Sequence, residues 1–328
     1  MTNNYLKIIA AMEGKSICVI GDMVLDKYTN GRISRISREA PVLVLDYTGE
    51  KHVAGGAANV VHNVATLGGA VLAVGVLGAD ADAANLKEIL ANASAQTDGL
   101  IEDSTRFTVS KNRIIAGGRA TVSQQIVRLD KENRQPISVS TEEKILAYLK
   151  NALQSVNGIV LSDYGAGTLT DNIVHFVADE AHHYGVPIIV DSRYDIDRFK
   201  NVDYIKQNDA ELAAAVGHEL TTEDDIKQAG DELLHKLDAK GILVTRGEYG
   251  MLLLLSNGSS YSIPVSDRSE VYDVSGAGDT CVATFILALT AGADPADAAR
   301  LSNIAAGIAV RKLGTATVSA LELQRVAI

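Results

Sequence analysis

The sequence has no tryptophan, two cysteines and five prolines in 328 residues. Cys18 lies in an apolar strand-like run and Cys281 at the start of an apolar helical run, so they form no metal-binding pattern and are read as reduced, buried thiols. Aromatic residues make up 5% of the chain, which leaves the core to Val, Ile, Leu and Ala. Positive charge is also scarce. A formal net charge of −11 argues against nucleic acid as a partner, because phosphate backbones are held by clustered Lys and Arg. It does not exclude a small phosphorylated ligand, which backbone amides, a helix N-terminus and a divalent cation can hold inside an acidic protein. Long apolar runs are missing as well. The stretch 281–293 is shorter than the roughly 20 residues of a membrane span. The first residues, MTNNYLKIIAAMEGKS, carry no signal-peptide pattern. A cytoplasmic chain with neither membrane nor nucleic-acid partner is the expectation.

Hydrophobic residues at 47% and charged residues at 22% match an ordinary folded protein. The length suits one α/β domain spanning 1–328. Apolar runs at 16–20, 71–78, 158–162, 187–191, 203–205 and 241–245 read as strands, and 251–256 and 260–265 as two more. Helical spacing falls at 57–68, 82–93, 142–155, 170–184, 209–216, 222–237, 279–292 and 295–312. Alternating strands and helices predict a doubly wound, mostly parallel sheet flanked by helices. Ligands then bind at the carboxyl ends of the strands. The Arg-dotted segment 31–41 reads as a polar connection, and 42–53 opens with an alternating, half-buried strand. Residues 105–130 are rich in β-branched residues and broken at Gly117-Gly118. Together, 42–53 and 105–130 predict a small accessory β-sheet lid over the ligand edge, whose open strand edges are a pairing surface for a homodimer.

The segment DVSGAGDTCVATFILAL (273–289) carries the chemistry. Small residues permit a tight turn and a helix follows at once, so the amides of Gly276, Ala277 and Gly278 face outward at a positive helix end. Asp279 stands beside the place where a phosphoryl group would rest. It can accept the proton of an attacking hydroxyl while the amides stabilise the transferred group. The plainer reading is a helix-capping Asp after a glycine turn. Other phosphate-binding signatures are absent. No G-x-G-x-x-G opens a helix after a strand, and Gly14-Lys15-Ser16 precedes a strand where a P-loop would follow one.

DVSGAGDT is similar to the DTxGAGD signature of the ribokinase-like carbohydrate kinases. GDMVLD (21–26) and GGAANV (55–60) resemble their substrate-binding elements, KQNDAEL (206–212) their NxxE element, and VTRGEYG (244–250) their nucleotide-site strand and turn. SRISREAP (34–41), QQIVRLD (124–130), LSDYG (161–165) and KLGTATVS (312–319) resemble the kinase half of the bacterial heptose-7-phosphate kinase/adenylyltransferases. The match runs from about residue 10 to 325.

This resemblance implies ATP and Mg²⁺ as cofactors and a sugar or sugar phosphate as partner. Asp279 would be the base, with Gly276, Ala277 and Gly278 as the anion hole. Asn208 and Glu211, placed at i and i+3 on one helix face, would organise Mg²⁺ through water near the ATP phosphates. A capped helix with an acidic first turn is the alternative for that pair. Thr245 and Gly247 would border the nucleotide, and Asn303 the adenine, unless Asn303 is merely an exposed polar residue. Asp22, Gly55, Gly56 and Asn59 would bind the sugar, with Asp26 open between substrate contact and solvation. Arg32, Arg35, Arg38, Lys111, Arg113 and Arg128 are candidate holders of a substrate phosphate.

Three departures stand out. Ala166 and Ser192-Arg193 replace lysines usual in the heptose-phosphate branch, and no adenylyltransferase segment follows residue 328, so the chain is expected to act as the kinase half. The expected reaction is phosphorylation of D-glycero-D-manno-heptose 7-phosphate at the anomeric hydroxyl. The alternatives are another sugar or sugar acid as substrate, or a non-catalytic sugar- or nucleotide-binding regulator.

Overall fold

β1 (Ser16–Gly21, SICVIG) is apolar almost throughout and buried from Ile17 onward. A strand covered on both faces has that composition. In the computed structural model, which describes residues 2–117, 123–265 and 271–327, β1 is an interior strand, third from one edge of a nine-stranded sheet. The first part of the chain forms α1 (Thr2–Ala11), β1, β2 (Met23–Ile36), β3 (Leu43–Gly56), α2 (Ala57–Thr66), β4 (Ala70–Leu77), α3 (Ala81–Asn92) and β5 (Gln96–Glu102). Then come β6 (Val109–Gly117), β7 (Gln124–Lys131), α4 (Val139–Ala152), β8 (Gly158–Asp163), α5 (Asp171–Tyr184), β9 (Ile188–Ser192) and β10 (Tyr204–Asn208). The last part holds α6 (Asp209–Val216), α7 (Glu223–Leu237), β11 (Gly241–Thr245), β12 (Met251–Leu255), β13 (Ser260–Ile263), α8 (Ala277–Thr290), α9 (Pro295–Ala309) and α10 (Ala320–Val326).

The large sheet runs β13-β12-β11-β10-β9-β8-β1-β4-β5. From β11 to β5 every neighbouring pair is parallel, while β12 and β13 join antiparallel. This is the predicted ribokinase-like architecture, mostly parallel with helices on both faces. One core layer gathers α1, α2, α3, α8 and α9 against one face of the sheet. The other gathers α4, α5 and α7 on the opposite face. α8 is apolar all round because it is covered all round: every residue from Asp279 to Ala288 is buried.

The four-stranded lid has the order β3-β2-β6-β7. β2 pairs antiparallel with β3 and parallel with β6, and β6 pairs antiparallel with β7. β2 begins one residue after β1 ends, and β3 runs straight into α2. The accessory sheet foreseen at 42–53 and 105–130 is present, although residues 118–122, including Gly118, lie outside the described part.

Several boundaries differ from expectation. Residues 31–36, read as a polar connection, continue β2, because pairing with 43–47 of β3 satisfies their backbone while their side chains stay in solvent. β5 went unread, since QTDGLIE is too polar for the sheet-strand pattern and is an edge strand. α1 and α10 were also unread. α8 starts at Ala277, two residues before the expected 279. Among the described residues no helix is long and apolar enough to cross a membrane.

Candidate active site

Parallel strands end along one edge, and the side chains at those ends converge. Register pairs Gly21 of β1 with Ser162 of β8, Ser162 with Asp191 of β9, Asp191 with Lys206 of β10, and Asn208 with Thr245 of β11. α8 aims its N-terminus at this edge. Gly276 caps it at φ 81°, a left-handed conformation that favours glycine. A Cβ there would stand 2.6 Å from Asn59 Nδ2, so the position excludes a side chain twice over.

Asp279 is the third residue of α8 and is 3% exposed. Its Oδ2 accepts from Asn59 Nδ2 at 2.8 Å, and its Oδ1 accepts from the Tyr164 hydroxyl at 2.6 Å. Burial pushes its carboxyl up to about 6, against the pull of those two donors and of Lys206, while Asp191 pushes the same way as burial. The amides of Gly276 and Gly278 take no main-chain partner among the described residues, whereas that of Ala277 donates to the Val274 carbonyl at 3.3 Å. Two of the three expected anion-hole amides are therefore free, and Ala277 is tied into its own turn.

Beside the glycines lies a buried ion pair. Lys206 Nζ stands 3.2 Å from both oxygens of Asp191 and 3.9 Å from Glu211 Oε2. A Cβ on Gly278 would meet Lys206 Nζ at 2.9 Å, so the ammonium sits against the anion loop. These carboxylates hold the ammonium charged despite its burial. Asp273 steadies the approach to the loop, accepting from the amides of Ser275 and Gly314 at 2.9 and 3.0 Å.

Asn208 and Glu211, expected at i and i+3 on one helix, stand side by side at the head of α6. Asn208 is the N-cap of α6, and the two form a reciprocal capping box: Glu211 N donates to Asn208 Oδ1 at 2.7 Å, and Asn208 N to Glu211 Oε2 at 2.8 Å. The capping alternative is thus realised in the structure. Glu211 Oε1 keeps no partner among the described residues. Thr245 ends β11, and Gly247, at φ 53°, opens a 3₁₀ turn with empty space where a Cβ would lie. Asn303 is neither exposed nor idle: it is buried on α9 and donates to the Pro264 carbonyl at 2.7 Å.

On the sugar side, Asp22 and Asn59 are buried at the same edge. Both oxygens of Asp22 are engaged by main chain. Oδ2 accepts from the amides of Tyr164 and Ala166 at 2.9 Å each, and Oδ1 from Thr168 at 3.1 Å. Asp22 therefore fastens the loop after β8. Asp26 is buried, not solvated. Arg113 donates to it at 2.6 Å and Thr315 Oγ1 at 2.8 Å, tying β2 and β6 to the loop after α9. Gly55 is required because a Cβ would fall 2.6 Å from Asp26 Oδ2, and Gly56 because it turns at φ 54° into α2. Arg128 and Arg32 pair with Asp130 and Asp46 on the lid surface, and Lys111 pairs with Glu132 at 3.3 Å. Arg35 and Arg38 are exposed.

Sequence reasoning missed Tyr164, Asp191, Lys206 and the placement of Arg193, whose guanidinium stacks 4.6 Å from the Tyr164 ring. Each sits just inside or after a strand end, which was the one available signal.

A nine-stranded, mostly parallel sheet with a separate lid and a glycine-opened helix facing its edge defines a ribokinase-like fold. It superposes on ribokinase from Arabidopsis thaliana complexed with ribose and ATP at a TM-score of 0.74 and 20% identity, over 96% of this chain and 99% of that one. It superposes on phosphofructokinase-2 from Escherichia coli, in complex with substrates and products, at a TM-score of 0.76 and 21% identity, over 96% and 98%. The pfkB family carbohydrate kinase model matches residues 15–322, and the chain belongs to that family. Its class is accordingly that of the ATP-dependent sugar kinases. The bifunctional protein HldE of Geotalea uraniireducens is 39% identical over 306 residues, and that of Geobacter metallireducens 41% over 306 residues. Each alignment takes in 93% of this chain but 61% of the relative, so the chain spans less than two thirds of the proteins it matches.

Proposed function

We propose that the chain transfers the γ-phosphoryl group of ATP to the anomeric hydroxyl of D-glycero-D-manno-heptose 7-phosphate. The observation that carries the reading is Asp279. It is a buried carboxylate held by two donors, in the same first turn as the free glycine amides at a helix N-terminus. In this mechanism Asp279 takes the proton of the sugar hydroxyl as that oxygen attacks phosphorus. The Gly276 and Gly278 amides and the Lys206 ammonium lie where negative charge grows on the transferred group. Gly55, Gly56, Asn59 and the loop fastened by Asp22 shape the sugar pocket, and Thr245, Gly247 and Asn303 border the nucleotide. Asn208 and the free Oε1 of Glu211 suit Mg²⁺ held through water, and the ion would neutralise phosphate charge there. The lid excludes water from the closed complex.

The heptose assignment rests on the 39–41% identity to the HldE relatives. A second sugar or sugar acid is favoured by one feature: Ala166 packs against Val24 and Val109 of the lid and offers no cation, whereas the other departure, Ser192-Arg193, keeps one in Arg193 beside the Tyr164 ring. The chain functions as a single domain, and the uncovered lid face is the site of a homodimer.

Two measurements test the reading. ADP release is followed across heptose 7-phosphates, hexose phosphates, hexoses and sugar acids, and the heptose 7-phosphate is expected to give the highest kcat/KM. Asp279→Asn is expected to lower kcat by roughly 10²-fold or more with ATP binding retained. Sugar-dependent turnover that survives this substitution would remove Asp279 from its role.

A further inference from the structure

Tyr164 lies on the loop between β8 and α5, and unusually many contacts fix it. From below, Asp22 holds the amides of Tyr164, Ala166 and Thr168. From outside, the Arg106 guanidinium donates to the carbonyl of Ala166 and to that of Asn133 at 3.1 Å. Its ring lies 4.6 Å from the Arg193 guanidinium and 5.9 Å from Lys111 Nζ. All this fixes one atom, the phenolic oxygen, at 2.6 Å from Asp279 Oδ1. A surface tyrosine needs no such support.

We propose that Tyr164 is a positioning residue for phosphoryl transfer: its hydroxyl donates to Asp279 Oδ1, orients the carboxylate toward the acceptor hydroxyl, and favours the form that can take a proton. The inference rests on Asp279 being the base. Burial beside Asp279 and Asp191 keeps the phenol well above its usual range, so it remains a donor throughout the working pH range. With Asn59 on the other oxygen, the two donors leave each carboxylate oxygen further lone pairs for substrate. The charged groups facing Asp279 are Asp191 on β9, Lys206 on β10 and Arg193 after β9, and they are unchanged when only the phenolic oxygen is removed. A hydrogen bond to an ionised group is strong enough to move a titration by about one pH unit.

The test is the pH profile of kcat in Tyr164→Phe, with Asp279→Asn alongside. Tyr164→Phe is expected to lower kcat about 10-fold, leave the KM for sugar and ATP within about 3-fold, and move the acid limb up by about one pH unit. A fluorotyrosine placed at 164, a stronger donor, is expected to move the limb down; it gives the same reading if the Phe variant does not fold. A fall in kcat with an unmoved acid limb in both variants would reduce Tyr164 to a packing role and overturn the inference. If Asp279→Asn is inactive while Tyr164→Phe matches the parent, this inference alone fails. If Asp279→Asn stays active, the base assignment falls and this inference with it.

Discussion

As the proposed base, Asp279 must be dry enough to act on a hydroxyl and still be ionised at the working pH. Burial raises its affinity for a proton, and Asn59, Tyr164 and Lys206 lower it, leaving a carboxyl near 6. A base is active only when deprotonated. Turnover is therefore expected to be full above neutrality and to fall as pH drops through about 6, read from kcat between pH 5 and 8.5. The Lys206–Asp191 pair makes a different demand. Both residues are 6% exposed, so Lys206→Met strands a buried carboxylate and is expected to cost about 3–5 kcal/mol in urea unfolding. Adding Asp191→Leu is expected to restore most of that stability but no turnover. At this scale the proposed base was legible as a candidate and its hydrogen-bond partners were not. Asp279 and its glycines are contiguous, whereas Tyr164 is 115 residues away and Asn59 220. A lysine in a strand end carries no local mark of the carboxylate beside it.

At the scale of elements, the head of α8 decides whether the site forms. Gly276 and Gly247 are both left-handed, but only at Gly276 would a Cβ strike a neighbour, the Asn59 amide that holds Asp279. Gly276→Ala is expected to cost at least the roughly 1–2 kcal/mol of the left-handed conformation and to depress kcat sharply. Gly247→Ala is expected to show the conformational cost together with a raised KM for ATP, since the position borders the proposed nucleotide site, with kcat largely kept. Thermal unfolding and steady-state kinetics on the two variants distinguish these outcomes. Central strands such as β1 and β8 were readable because burial on both faces forces an apolar run. The outer part of β2 and the edge strand β5 were not, since pairing alone holds them and leaves their side chains polar. NDAE likewise could not reveal that it caps a helix, and the cap still leaves Glu211 Oε1 without a partner among the described residues.

On the scale of the whole molecule, the lid is conspicuous for what leaves it uncovered. Tyr47 is 68% exposed, Leu129 57% and Ile36 66%, and β7 is exposed along its whole length. Such a face on a thin sheet fits a second copy of the chain. Replacing Tyr47 and Leu129 together by Asp is expected to convert a dimer to a monomer in sedimentation at micromolar concentration. A wild-type monomer under those conditions would count against the pairing.

The lid's attachment has a further consequence. β2 leaves β1 across Asp22 alone, and β3 enters α2 through Gly56 with no residue between. At its far end, where β2 turns back to β3, the lid can gain or lose residues without reaching the reaction. At the near end there is no slack, because one residue inserted at 22 or 56 would rotate α2 and carry Asn59 off the carboxylate it holds. Tolerance to insertion should rise along the lid from root to tip, so lengthened variants of this chain are expected to keep turnover only when the added residues lie at the tip.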